Sequence, residues 1–201
     1  MTDPRARSPL TAGVTTLGPR GRITLIIGCM FSGKTTELLR RVRMLGPSEV
    51  LVFKHRIDSR CPPGTIVSHA RASFPAFSIV DPWEMLEAGC AGKRLIAVDE
   101  AHFFGVDLAD AAKRIRDAGT DVLLAALDLD SWGRPFSVVE RLRAVANSVL
   151  ERTALCGQCG AIADHTQRLT RIVDRSMVGG PESYEARCRA CWRPPPELPI
   201  C

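Results

Sequence analysis

The order of apolar and polar positions divides this chain into alternating strands and helices. The segment RITLIIG, residues 22–28, is a short β-branched run ending in glycine, which predicts a buried strand. From Lys34 the period changes. Leu38, Leu39, Val42 and Leu45 fall on one helical face, Arg40, Arg41 and Arg43 on the other, and Gly46-Pro47 stops the helix. EVLVFK, residues 49–54, predicts a second strand. Residues 55–80, broken by Pro62, Pro63, Gly64 and Pro75, read as loop. DPWEMLEAG, residues 81–89, opens with an Asp N-cap and a proline at the first helical position and ends on glycine, so it predicts a short helix. RLIAV (94–98) is the third strand, 105–118 a helix closed by Gly119, and DVLLAAL (121–127) the fourth strand. A helix around 138–146 and a strand around 148–155 follow. This alternation predicts an α/β layered fold with a mostly parallel sheet. From Cys156 the character shifts to short segments, turns and paired cysteines, a second unit too small to hold a core without a staple.

Composition narrows the picture. The chain has 201 residues, 45% hydrophobic and 24% charged, which fits one globular domain with a small appendage. The net charge is +5, with Arg5, Arg7, Arg20 and Arg22 near one end. No basic run or aromatic–basic stripe marks a nucleic-acid groove, and no apolar stretch reaches the roughly 18 residues of a membrane span. Residues 1–20 read as a disordered tail on a cytosolic protein, and 193–201 as a Pro-rich tail.

Eight cysteines in a reducing compartment point to metal where they are paired. Cys156-x-x-Cys159 and Cys188-x-x-Cys191 form two knuckles, the donor set of tetrahedral Zn²⁺. Cys29, Cys61, Cys90 and Cys201 have no such spacing and read as ordinary thiols. The stretch 160–187 between the knuckles has the length to fold over a neighbouring pocket as a lid.

Two motifs carry the chemistry. GCMFSGKT (28–35) fits G-x-x-x-x-G-K-[ST] and lies between a predicted strand and a predicted helix. Its backbone N–H groups and the helix N-terminus form a nest for phosphate. Lys34 is expected to reach the terminal phosphates and Thr35 to hold Mg²⁺, with Gly28, Ser32, Gly33 and Thr36 completing the ATP cradle. Asp99 and Glu100 end a buried strand, where ligands bind in open parallel sheets. Asp99 suits a magnesium contact and Glu100 a general base. The letters D-E-A-H (99–102) also occur in nucleic-acid motors, but a motor needs two nucleotide-binding lobes and this chain has room for one.

These motifs resemble the zinc-containing, tetrameric (type II) thymidine kinases, and the resemblance runs from about Arg22 to Trp192. Beyond the phosphate loop it rests on Phe53-Lys54 with Asp58 and Arg60, on SHA (68–70), DEAHFF (99–104) and ALDLDSWGRPF (126–136), and on ADHTQRL (163–169) and MVGGPESYEARCRAC (177–191). It implies a RecA-like P-loop domain over 21–153 and a zinc-ribbon and lasso domain over 154–192. It implies ATP, Mg²⁺ and structural Zn²⁺ as cofactors, thymidine and deoxyuridine as substrates, and a homotetramer. Lys34, Arg60 and Glu100 would be catalytic, with Arg60 steadying the transferring phosphoryl group. Met30, Phe103, Leu127, Phe136, Thr166 and Tyr184 would line the nucleoside pocket, and Val178, Gly179 and Gly180 would read the base through their backbone. Without the resemblance, Leu127 and Phe103 read as core. Departures from the family's pattern are His102 for Gln, Ala126 for Gly, and Ser131 for a Phe near the base; either Trp132 supplies the lost surface or the pocket is open on that side. The alternative function is a zinc-ribbon P-loop ATPase acting on nucleic acid.

Overall fold

The computed structural model describes residues 20–60, 62, 64–68, 71–90, 92–170 and 178–196. The expected N-terminal tail, apart from Arg20, and the last residues of the Pro-rich tail lie outside these, as do Cys61, His69 and Cys201. In chain order the elements are β1 (Ile23–Gly28), α1 (Lys34–Arg43), β2 (Val50–His55), β3 (Thr65–Val67), β4 (Ser73–Pro75), β5 (Phe77–Ile79), α2 (Glu84–Glu87) and β6 (Leu95–Asp99). A 3-10 turn (Ala101–Phe103) leads to α3 (Leu108–Asp117), β7 (Asp121–Ala126), α4 (Ser137–Val145) and β8 (Ser148–Arg152). The small unit holds β9 (Ala154–Leu155), β10 (Ile162–Ala163), β11 (His165–Arg168) and β12 (Tyr184–Arg187).

Six strands form one sheet in the order β5-β2-β6-β7-β1-β8, and every pairing in it is parallel. A parallel sheet is covered on both faces, so its central strands are apolar throughout rather than alternating. Successive residues of β1 therefore serve two different cores. Ile23, Leu25 and Ile27 pack with Ile96, Val98, Val122 and Leu124 against α3 and α4. Ile26 packs with Val50, Val52, Ala97 and Leu123 against Leu38, Leu39 and Val42 of α1.

Three expectations need correction. Residues 55–80 hold an antiparallel β3–β4 pair and the edge strand β5; these strands are too short, and too broken by proline, to give a period. The helix expected over 81–89 is a single turn, Glu84–Glu87. The strand expected over 148–155 leaves the sheet at Arg152, and Ala154–Leu155 pairs with β10 in the small unit.

Candidate functional site

The carboxyl edge of the sheet collects the chemistry. The phosphate loop follows β1, Arg60 lies beyond β2, Asp99 ends β6, and Leu127 follows β7. In the sheet β7 separates β1 from β6, leaving the width of one strand between phosphate loop and acid pair. Gly28 (φ +146) has no room for a side chain, since a Cβ there would come 2.0 Å from the Arg152 carbonyl. The loop turns back through Phe31, which takes a left-handed φ of 64°. Lys34 Nζ donates to the Cys29 carbonyl at 2.6 Å and to Ser32 Oγ at 3.4 Å. Burial lowers the Lys34 pKa, and the charges of Glu100, Cys29, Asp128 and Asp99 work the other way.

Thr35 Oγ1 lies 3.1 Å from both Asp99 carboxylate oxygens. Adjacent ligands of an octahedral Mg²⁺ at about 2.1 Å stand about 3 Å apart, so a hydroxyl and a carboxylate at this spacing fit the ion. Burial and the neighbouring Glu100 charge push the Asp99 carboxyl up to about 7, against the pull of Arg60 and the Thr35 hydroxyl. A buried carboxyl in that condition is one that a cation stabilises.

Glu100 sits in a left-handed conformation, φ 51°, at the turn out of β6. Such a backbone costs about 1–3 kcal/mol in a non-glycine residue and is kept where surrounding contacts fix it. Here Arg60 Nη2 donates to Glu100 Oε1, and Arg60 Nε donates to Asp58 Oδ1 at 2.7 Å. Asp58 is itself buried, and its carbonyl accepts from the buried Lys54. Burial would raise the Glu100 pKa, but Arg60, His102 and Lys34 overcome it and hold the carboxyl at about 2. The imidazole of His102 is buried 3.5 Å from Glu100 Oε2, between Phe103 and Phe136, and its Nδ1 accepts the Leu127 N–H at 3.3 Å. Burial, helped by the charges of Lys34 and Arg60 and opposed by Glu100, lowers its pKa to about 4. His102 is a neutral ring at ordinary pH.

One cavity joins these groups. It is lined by Gly33, Lys34, Thr35, Thr36, Arg60 and Glu100 together with Met30, Phe103, Leu127, Phe136, Thr166, Val178, Gly179 and Tyr184. Gly180 lies instead on an adjoining chamber with Asp99, Arg60, Ser68 and Glu182. Trp132, expected near the base, is not among the residues that line this cavity. Its indole Nε1 donates to the Pro196 carbonyl at 3.2 Å, and Asp130 Oδ1 accepts its backbone N–H at 2.9 Å. Asp130 also accepts the Arg134 N–H, closing a turn in which Ser131 faces the cavity and Trp132 turns away from it. Phe31, Leu129 and Asp130 line the cavity without having been singled out, and so do His102 and Ser131, two of the positions that depart from the family's pattern. The irregular segment after β7 shows no period that would have marked Leu129, Asp130 and Ser131.

The four cysteines Cys156, Cys159, Cys188 and Cys191 bring their sulfur atoms within 4.8 Å of one another, with Cys159 and Cys188 at 3.6 Å. Tetrahedral Zn–S bonds of about 2.3 Å place sulfurs about 3.8 Å apart, so this donor set fits Zn²⁺. Burial disfavours the Cys156 thiolate, yet the backbone N–H groups of Cys188, Cys159 and Gln158 hold its pKa down at about 6, while hydrogen bonds from Cys159 and Cys188 push the Cys191 thiol up to about 12. Cys29 is buried with Cys156, Ala163, Ala186 and Cys188, and donates to the Ala163 carbonyl at 3.4 Å.

A phosphate loop, a strand-end acid pair and a cysteine-knuckle unit packed on that loop define a P-loop phosphotransferase with a metal-knuckle lobe. The sequence profile of the thymidine kinase family matches residues 21–192. The thymidine kinase of Rhodothermus sp. (strain ITI 518) is 38% identical over 180 residues, 89% of this chain and 84% of its own length. That of Pyrobaculum aerophilum is 40% identical over 87% of this chain and 100% of its own, and that of Deinococcus deserti 40% over 84% and 93%. The chain belongs to the thymidine kinase family. This membership does not favour the alternative of an ATPase acting on nucleic acid.

Proposed function

We propose that this protein transfers the γ-phosphoryl group of MgATP to the 5′-hydroxyl of thymidine, and of deoxyuridine, in pyrimidine salvage. The observation that carries the reading is the continuous cavity from Lys34 and Thr35, past Glu100, to Leu127, Thr166 and Tyr184. Lys34 and the loop amides hold the phosphates, and Glu100 takes the proton from the nucleoside hydroxyl. Thr35 and Asp99 would hold Mg²⁺, which when bound neutralises phosphate charge.

The Arg60–Glu100 pair explains how a carboxyl near 2 acts as a base. Arg60 keeps it low. When that guanidinium shares its charge with the transferring phosphoryl group, its hold on Glu100 weakens and burial raises the carboxyl's proton affinity. Cys156, Cys159, Cys188 and Cys191 would hold Zn²⁺, which when bound would staple the small unit together. The homotetrameric assembly and the cytoplasmic location follow the family and belong to the same proposal.

The test is a nucleoside panel with ATP and Mg²⁺. Backbone groups of Val178 to Gly180 reading the base cannot exchange donor for acceptor. Cytosine reverses thymine's pattern at two positions, leaving two groups unpaired at about 1–3 kcal/mol each. Thymidine is expected first, deoxyuridine within about tenfold because it lacks only a methyl, and deoxycytidine about 10²–10⁴ poorer in kcat/KM. Equal use of deoxycytidine overturns the base reading. ATP turnover stimulated by single-stranded DNA and not by thymidine overturns the kinase.

A further inference from the structure

We propose that Thr166 is a positioning residue for the nucleotide phosphates: its hydroxyl accepts the Met30 N–H and holds the apex of the phosphate loop in its strained shape. Thr166 lines the nucleoside end of the cavity, so a role at the ATP end is a second duty on the same side chain.

The loop cannot hold itself. Three of its internal bonds go to the Cys29 carbonyl, which takes Ser32 N at 3.4 Å, Ser32 Oγ at 2.8 Å and Lys34 Nζ at 2.6 Å, and a fourth joins Lys34 Nζ to Ser32 Oγ at 3.4 Å. None of these fixes Met30, and the next residue, Phe31, has the left-handed φ of 64° that an L-residue keeps only under outside constraint. Outside contacts supply the constraint: Arg152 Nε donates to the Ser32 carbonyl at 3.4 Å, Phe31 packs on the cysteine cluster, and one short stretch of the small unit reaches the loop before Phe31. Thr166 Oγ1 accepts the Met30 N–H at 3.1 Å, and the Ala163 carbonyl accepts the Cys29 thiol at 3.4 Å.

Thr166 is 2% exposed, so bulk water does not reach this bond to replace a lost hydroxyl. Its position is set by the β11–β12 pairing, in which it faces Ala186, two residues before Cys188. The shape of the phosphate cradle thus depends on a unit distant in sequence. Thr166 carries two groups on one Cβ, a hydroxyl toward the loop and a methyl available to the nucleoside. Valine and serine each remove one of them.

The test uses the full chain without nucleoside, with MgADP as probe and calorimetric titration as readout. Thr166→Val keeps the bulk and loses the acceptor, and MgADP affinity is expected to fall at least tenfold, the fold-change of one buried donor left unpaired. Thr166→Ser keeps the hydroxyl and is expected to restore MgADP binding to within about threefold, while shifting the thymidine-to-deoxyuridine preference. A purely structural role for Thr166 would give no such separation between the variants. MgADP binding by Thr166→Val equal to wild type, or equal loss in both variants, overturns the inference. If Thr166→Val fails to fold, hydrogen exchange in the wild type decides the matter. The Met30 amide is expected to exchange as slowly as those of β1, and fast exchange overturns the proposal. The methyl argument rests on the thymidine kinase reading. The MgADP measurements contain no nucleoside, so a wild type that fails to phosphorylate thymidine sinks that reading alone.

Discussion

Replacing His102 by Gln should remove a defined part of the protein's acid sensitivity. His102 is buried and its pKa is about 4, against an ordinary value of 6.5. The sign follows from proton counting. Between pH 6.5 and 4 the unfolded chain binds a proton at this residue and the native protein does not. Stability is then fully present above pH 6.5 and is lost as pH falls toward 4. For these two values the loss at this one residue is about 1.4 kcal/mol at pH 5.5 and about 2.6 kcal/mol at pH 4.5, with a ceiling of about 3 kcal/mol. Gln has no such titration, and its side-chain carbonyl is able to accept the Leu127 N–H in place of Nδ1. The assay is urea unfolding of both proteins at pH 7.5, 6.5, 5.5 and 4.5, read as the difference between the two profiles. The difference is the right quantity because Asp99 titrates in an overlapping window with opposite sign. Its raised pKa makes stability fall as pH rises from about 4 to about 7, in both proteins alike. The wild type should lose ground to the variant steadily below pH 6.5. Parallel profiles, or a variant that is the more acid-sensitive, would mean that the ring takes up its proton in the native state and that the neutral-ring geometry is wrong.

Other substitutions probe the remaining parts of the site. Glu100→Gln should keep MgADP binding and lose about 10²–10⁴ in kcat; a variant with near-wild-type turnover removes Glu100 as the base. Cys188→Ser should bring bound zinc below one per chain. It should also weaken both nucleoside and ATP binding, because Cys188 packs with Cys29 of the phosphate loop; wild-type protein without zinc refutes the metal assignment outright. Trp132→Ala should cost about 3 kcal/mol of stability and leave thymidine KM unchanged, since the indole lies off the cavity; a tenfold rise in thymidine KM in a stably folded variant contradicts that placement.

The parts of this fold legible in the sequence are those whose signal is local. β1, β2, β6 and β7 are continuous apolar runs because both faces of a parallel sheet are buried, and α1 shows its period because one face alone packs on the sheet. The phosphate loop, Asp99, Glu100 and the knuckles lie at fixed spacings within short windows. What failed to show is non-local. β5 is a three-residue strand that owes its existence to pairing with β2. Trp132 and Ser131 are adjacent, and only the turn closed by Asp130 decides which of them faces the cavity.

The same distinction explains where the strain sits. Phe31 and Glu100 are two of the three non-glycine residues with positive φ among the described residues, and both stand at the carboxyl edge of the sheet, one in the phosphate loop and one at the acid pair. Neither sequence window offers a glycine at these positions, so local preference opposes both conformations. Each is held from far along the chain, the phosphate loop by Ala163 and Thr166, Glu100 by Arg60 and its partner Asp58. A site assembled this way draws on segments from both sides of residue 153. The segment after the sheet shapes the phosphate loop, and the segment after β2 sets the charge on the acid. Changes in the small unit should therefore register in nucleotide binding as readily as in nucleoside binding, which two separate domains would not show.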